Sequence, residues 1–320
     1  MQVRFWGTRG SLPVAPTGRA IRDKVVTALL AADGRRFDGR DEAERFVEGE
    51  LDFATGQGFG GATSCVEIDA GGEEFIVCDM GSGLREFGLD AMRRCAGGHA
   101  RIYHFFLSHL HWDHIMGFPF FVPAFDPNAR IVIHAGHEDA EEALRRQQEE
   151  ISFPVPFNWL KADIRFETLR PGQTYRIGAV DVDLIEQHHS HLSYGFRFRD
   201  RDGKTAIFST DSEHKIDRME GEADVAAFFA DADLVICDTM YSLADSVSMK
   251  EDWGHSSNIV VIDLCHEARA RKLVLFHHEP TYSDRDIQRM FEESIRYEEL
   301  TRVDRPLEVI CAYDGLVTDV

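Results

Sequence analysis

Six residues, His109-Leu110-His111-Trp112-Asp113-His114, hold three imidazoles and a carboxylate, separated only by Ser108 from the apolar run Phe105-Phe106-Leu107. This stretch constrains the fold more than any other. Ligand-type side chains at i, i+2, i+4 and i+5 cannot share one face of a helix, where neighbours sit three or four apart. The spacing predicts a strand that ends in a loop, with the last two residues entering a helix. His109 and His111 then point one way, while Asp113 and His114 splay toward a second point. That arrangement suits two adjacent metal ions better than one.

Other strand ends carry residues of the same kind. Asp79 ends the run Phe75–Cys78, and Asp211 ends Ala206–Ser209. His188, His189 and His191 follow Val182–Ile185, and His277 and His278 end Leu273–Phe276. Asp238 closes Leu234–Cys237, and no histidine is expected to accompany it. A lone histidine at a strand end is ordinarily a satisfied structural residue. Several such ends joining one dense H-x-H-x-D-H cluster instead point to a metal centre with imidazole and carboxylate ligands.

Around these ends the pattern alternates strands and helices. Strands are expected at 3–6, 64–68, 75–78, 102–107, 131–134, 180–185, 194–199, 205–209, 234–237, 272–276 and 307–312. Helices are expected after Gly83 to about Cys95, over 138–150, 224–230, 258–270 and 284–297. The stretch from Thr17 to about Gly58 changes character. It offers one helix over 19–32, stopped by Asp33-Gly34, and an acidic second one over 41–53. The expected organisation is a single domain over residues 1–320, with a helical insertion at about 17–58.

Net charge is −21. A field of that sign repels phosphate backbones and supplies no counterion-release affinity, so long nucleic acid is disfavoured as a partner. The six cysteines lack any C-x-x-C pair and sit mostly in apolar runs, as reduced core residues do. No signal peptide is visible in Met1–Trp6, and no run approaches the ~20 apolar residues of a membrane span. A cytoplasmic protein with no membrane partner is the expectation.

The motif His109–His114, with Asp79 before it and His189, Asp211 and His277 after it, resembles the metallo-β-lactamase superfamily. Within it the chain is similar to the phosphodiesterase branch that includes ribonuclease Z and bacterial cyclic-nucleotide phosphodiesterases. Phe5-Trp6-Gly7-Thr8-Arg9-Gly10-Ser11, Gly60-Gly61-Ala62-Thr63-Ser64-Cys65, Trp253-Gly254-His255-Ser256 and Leu275-Phe276-His277-His278 have counterparts there. The resemblance implies an α/β (α+β) fold, a four-layer αββα sandwich of two mixed sheets flanked by helices. It implies two divalent metal ions, zinc first and manganese second. One would take His109, His111 and His189. The other would take Asp113, His114 and His277, with Asp211 bridging and Asp79 orienting the cluster from behind. His188, His191 and His278 remain alternatives to the neighbouring ligands. His255 is expected to bind substrate or serve as general acid, with Ser256 as a second substrate-binding residue or a helix cap, and Asp113 and Asp211 take part in catalysis. Three departures from the family pattern stand out. Ala62 replaces a usual Asn, the stretch 187–191 lacks Pro-Gly-Gly, and the 17–58 insertion is long.

The expected function is hydrolysis of a small phosphodiester, first a cyclic nucleotide, by a metal-bridging hydroxide. The alternatives are tRNA 3′-processing, hydrolysis of an ester, lactone or lactam, and a nucleotide-binding protein without catalysis on the same fold. A homodimer is expected from the resemblance.

Overall fold

A computed structural model describes residues 1–214, 222–242 and 253–320. The first half of the chain forms strands β1 (Gln2–Gly7), β2 (Cys65–Asp69), β3 (Phe75–Cys78), β4 (Ile102–Leu107), β5 (Arg130–Ala135) and β6 (Asp163–Thr168). The second half forms β7 (Tyr175–Ile177), β8 (Val180–His188), β9 (Leu192–Arg199), β10 (Thr205–Ser209), β11 (Leu234–Asp238), β12 (Lys272–Phe276), β13 (Glu308–Cys311) and β14 (Val317–Asp319). One sheet runs β14-β1-β2-β3-β4-β5-β6, the other β13-β12-β11-β10-β9-β8-β7. Both are mixed. β3 through β6 are parallel and so are β10 through β13, while β1-β2-β3 and β7-β8-β9-β10 are antiparallel.

Side-chain alternation explains how these sheets stack. Val3, Phe5 and Phe106 of the first sheet meet Phe196, Phe198, Phe208 and Phe276 of the second in a buried middle layer. Phe106 packs edge-on against Phe196 and Phe198, with ring centroids 5.5 and 5.1 Å apart. The outer faces are covered by helices. Phe75, Tyr103 and Phe105 lie under Phe87 of α4 (Leu84–Ala96), after the short helices α1 (Gly18–Ala32), α2 (Arg40–Gly49) and α3 (Phe53–Gly56). Next come α5 (Trp112–Ile115) and α6 (Ala140–Gln147). Ile207 and Val235 lie under Phe229 of α7 (Glu222–Phe229) and Val261 of α8 (Asn258–Glu267), ahead of α9 (Asp284–Thr301). The result is the expected αββα sandwich.

Three details differ from the sequence expectation. The second acidic helix breaks in two, because Gly49 ends α2 and the Asp52 side chain caps α3 by accepting from Thr55 N. β6, like the short β7 and β14, was not expected. Its charged alternation, Asp-Ile-Arg-Phe-Glu-Thr, reads as surface, yet parallel pairing with β5 makes it the edge of the first sheet. β8 runs on to His188, so His189 and His191 lie in the turn between it and β9 while His188 is a strand residue. At the N-terminal side, Thr17 caps α1 by accepting from Ala20 N, and no residue of that helix is buried.

Candidate metal centre

Parallel strands deliver their C-terminal ends to one edge of the sandwich, and the ligand-type residues collect there. β4 ends at Leu107, and Ser108 turns the chain by donating both its N–H and its hydroxyl to Asp79, each at 2.9 Å. Asp79, itself just past β3, also accepts from Ser64 Oγ at 2.8 Å and from His114 Nδ1 at 2.6 Å. Every donor fixes this buried carboxylate, and the carboxylate in turn fixes which nitrogen of His114 is free. α5 then presents Asp113 and His114 toward the site, as the spacing predicted.

Two groups of ligand atoms result. His189 Nε2 lies 3.4 Å from His111 Nδ1, and the His109 ring is 4.4 Å from that of His111 and 5.0 Å from that of His189. In the second group Asp113 Oδ2 is 3.0 Å from His114 Nε2 and 3.3 Å from His277 Nε2. Asp211 sits between them. Its Oδ1 faces His109 Nε2 at 3.7 Å and His189 Nε2 at 3.6 Å, while Oδ2 faces His114 and His277 Nε2, each at 3.2 Å. One oxygen is offered to each group.

Three of these strand-end residues, Asp79, Asp211 and His277, have φ of 59°, 50° and 62°. Left-handed backbone is uncommon outside glycine and costs on the order of 1–3 kcal/mol per residue. The strain turns each side chain back over the end of its strand. Glycine makes the room. A Cβ on Gly10 would lie 2.6 Å from the His277 ring, and one on Gly254 would lie 2.3 Å from His189 Nδ1.

The donor set fits metal ions. His109 Nε2 is buried without a hydrogen-bond partner, and the Nε2 atoms of His114 and His277 face each other at 3.3 Å. Nitrogens brought this close share a proton or a metal ion between them. Imidazole and carboxylate without thiolate suit zinc, manganese or iron. Protonation leans the same way. Burial and the neighbouring His114 push His109 well below the ordinary histidine value. Burial opposes ionisation of Asp113 and Asp211, yet the surrounding imidazoles hold both carboxylates below their usual range. Burial likewise opposes charge on His114, but Asp113, Asp211 and Asp79 favour a positive charge there, and a metal ion at its Nε2 would take the place of a proton.

The remaining histidines separate clearly. His278 points into the core, its Nε2 donating to Ala312 O at 2.8 Å, and burial lowers it to about 3. His188 is an exposed strand residue 3.9 Å from Glu213. The His191 ring is 6.1 Å from His111 at the exposed rim. His189 alone of its trio turns inward, its Nδ1–H donating to Gly254 O at 2.7 Å. That bond leaves Nε2 free to ligate.

One reading from the sequence needs correction. Asp238 does have a histidine partner, because His255 Nδ1 donates to Asp238 Oδ2 at 2.6 Å. The signal was present in the topology, since β11 lies between β10 and β12 and must end where Asp211 and His277 do. Burial works against charge on His255, but Asp238 outweighs it and raises the imidazole to about 9. Its ring lies 5.1 Å from His189 and 5.2 Å from His277. Ser256 is fully buried. Its hydroxyl donates to Ser212 O at 2.6 Å and accepts from His214 N at 3.0 Å, tying the His255 turn to the loop after Asp211. The cap of α8 is Ser257, not Ser256. Ala62 contributes only backbone near the site, its carbonyl accepting from Thr8 and Arg9.

A family model described as the beta-lactamase superfamily domain matches residues 75–278. A curated ribonuclease Z of Picrophilus torridus is 19% identical over 260 residues, covering 64% of this chain and 80% of that protein. Among solved structures, the metallo-beta-lactamase fold protein YhfI of Bacillus subtilis aligns with a TM-score of 0.64 at 17% identity, over 99% of this chain and 98% of that one. Unliganded PDE1 of yeast aligns with a TM-score of 0.63 at 14% identity, over 80% and 94%. Among the described residues no helix is long and apolar enough to cross a membrane.

Proposed function

The chain belongs to the beta-lactamase superfamily, and from that premise we propose that it is a metal-dependent hydrolase of a small phosphodiester, with a cyclic nucleotide the first substrate to test. His109, His111 and His189 would hold one divalent ion, and Asp113, His114 and His277 a second, with Asp211 shared. Zinc is the first choice for both and manganese the second. Ions bound there supply an acidified water as nucleophile and neutralise charge building on a phosphoryl oxygen. We take residues 1–320 as one domain, with 17–58 as an insertion in it.

The other steps fall to the chain's own side chains. Asp79 holds His114, and the Gly254 carbonyl holds His189, so each ring presents one fixed nitrogen. The observation that carries the reading is the His255–Asp238 pair at 2.6 Å. A buried imidazole kept protonated beside the ligand cluster can bind an anionic diester and give its proton to a departing alkoxide. His255 is the group we assign to substrate; Ser256 has its hydroxyl engaged within the fold.

The curated ribonuclease Z relative favours a second reading, endonucleolytic processing of tRNA 3′ ends. A net charge of −21 speaks against gathering a long polyanion. The test is a substrate panel on purified protein with added zinc or manganese. It comprises cyclic mononucleotides, cyclic dinucleotides, bis-p-nitrophenyl phosphate and precursor tRNA at low salt. Metal-dependent turnover of a small diester is expected. Absence of turnover on all of them sinks the proposal, and cleavage of the tRNA alone replaces it by the second reading.

A further inference from the structure

Large apolar side chains from three separate segments are exposed beside the ligand cluster. Trp112, between His111 and Asp113, is 76% exposed, and Trp253, next to the Gly254 that accepts from His189, is 57% exposed. Leu192, 42% exposed, follows His191, whose ring stands 6.1 Å from that of His111. Single exposed apolar residues are ordinary, but several brought to one cluster from distant parts of the chain mark a surface that a ligand covers. Such surface gains nothing from a metal ion or a phosphate. It suits the part of a substrate that lies beyond the reacting group.

A groove of about 1010 Å³ lies between α5 and α6, lined by Trp112 with Leu110, Met116, Phe120 and Phe153. That is the size of a small-molecule site. Its walls are tied to each other. Gln147 Nε2 of α6 donates to Ile115 O of α5 at 3.1 Å, and the Phe120 and Phe153 rings meet edge-on at 5.5 Å. Leu110 and Trp112 alternate with His109, His111 and Asp113, so the groove begins within one residue of the ligands. Charge narrows the occupant. Asp139, Glu142 and Glu149 line the same groove, and Arg146 is the one cation among its described lining residues. Such a rim repels a further phosphate. Carboxylate oxygens only accept hydrogen bonds, so they favour a neutral group that carries N–H donors. A nucleobase offers both such donors and a flat face for an exposed indole.

We propose that this groove is a nucleobase subsite, with Trp112 stacking on the base and setting substrate specificity. The inference rests on the reading of the site as a phosphodiesterase and adds which part of the substrate the protein selects. The groove takes one base and no second phosphate, so a cyclic mononucleotide is favoured over a cyclic dinucleotide or RNA. Adenine, guanine and cytosine, which carry exocyclic amino donors, are favoured over uracil.

Calorimetric titration of the metal-loaded protein with adenosine 3′,5′-cyclic phosphorothioate, which resists hydrolysis, tests this, with circular dichroism as a folding control. Trp112→Ala, at an exposed position outside the core, should weaken binding about tenfold, and Trp112→Phe should keep most of the affinity. The sugar cyclic phosphate without a base should bind wild type and Trp112→Ala equally. Trp159→Ala removes an exposed indole that does not line the groove and should change nothing. With cyclic adenosine monophosphate as substrate, the loss in Trp112→Ala should appear in KM with kcat retained. Equal affinity of wild type and Trp112→Ala for the nucleotide overturns the proposal. So does tighter binding of octyl methyl phosphate than of the nucleotide. Binding that depends on Trp112 without turnover of any diester upholds the subsite and removes the phosphodiesterase reading. Turnover of the nucleotide that Trp112→Ala leaves unchanged does the reverse.

Discussion

The acid role proposed for His255 depends on Asp238, whose Oδ2 accepts from its Nδ1 at 2.6 Å in a site from which solvent is largely excluded. A general acid matters most when the leaving group is poor, and such acids contribute about 10²–10⁴-fold. His255→Ala is accordingly expected to slow turnover of an alkyl or nucleoside diester by about that factor. Bis-p-nitrophenyl phosphate, whose leaving group needs no proton, should be far less affected. Kinetics on a series of leaving groups checks this, and a uniform loss across the series would falsify the acid role. Asp79 acts at one remove. Asp79→Asn weakens the bond that orients His114, so metal affinity should fall about 10–100-fold. Competition against a chelating dye measures that change, whatever the substrate.

At the scale of elements, the site depends on tight meetings between backbone and ring. The turn before α8 approaches His189 so closely that Gly254, with φ of 83°, admits no side chain. Gly254→Ala should displace His189 and strip metal from its group while β8 and β9 stay paired. Metal content per chain falling in a protein with unchanged circular dichroism is the expected result. β4 and β5 carry a different element-scale dependence. His134 is buried against Phe106, with ring centroids 4.8 Å apart, and its Nε2 lies 3.0 Å from His104 Nδ1. Burial, then His104, lowers His134 to about 3. An unfolded histidine titrates near ~6.5, so between ~6.5 and about 3 the unfolded chain binds the extra proton. Stability is thus complete above that window and is lost as pH falls through it. Urea midpoints measured down the pH scale should drop less steeply in His134→Leu than in the wild type.

The whole molecule brings carboxylates and imidazoles from both sheets to one edge. Metal binds that assembled edge and not the unfolded chain, so loading at ~1,000 times the Kd adds about 4 kcal/mol. Chelation should lower Tm by on the order of 10 °C, reversibly on adding metal back. Calorimetry with and without chelator gives the answer. An unchanged Tm would mean that the cluster at this edge is held by the protein alone.

Local pattern reached a long way into this chain. The apolar runs, the breaks at Asp33-Gly34 and Gly83, and the spacing of His109–His114 are all short-range signals, and they located most of the strands and helices and the turn that carries the histidine cluster. Other features arise only when distant segments meet. β6 became a strand because β5 offered it an edge. Asp238 gained a partner because β11 lies between β10 and β12, which carries its end to within reach of a histidine 17 residues later. Which histidine of each neighbouring set faces the cluster was likewise decided in space, with His189 oriented by the carbonyl of Gly254 and His278 turned away to that of Ala312. By itself the sequence determined which side chains could ligate and that strand ends would present them, since both follow from residue type and periodicity. Only the tertiary structure decided which nitrogen faces inward and which carboxylate stands behind it, because hydrogen-bond partners across sheets are set by packing.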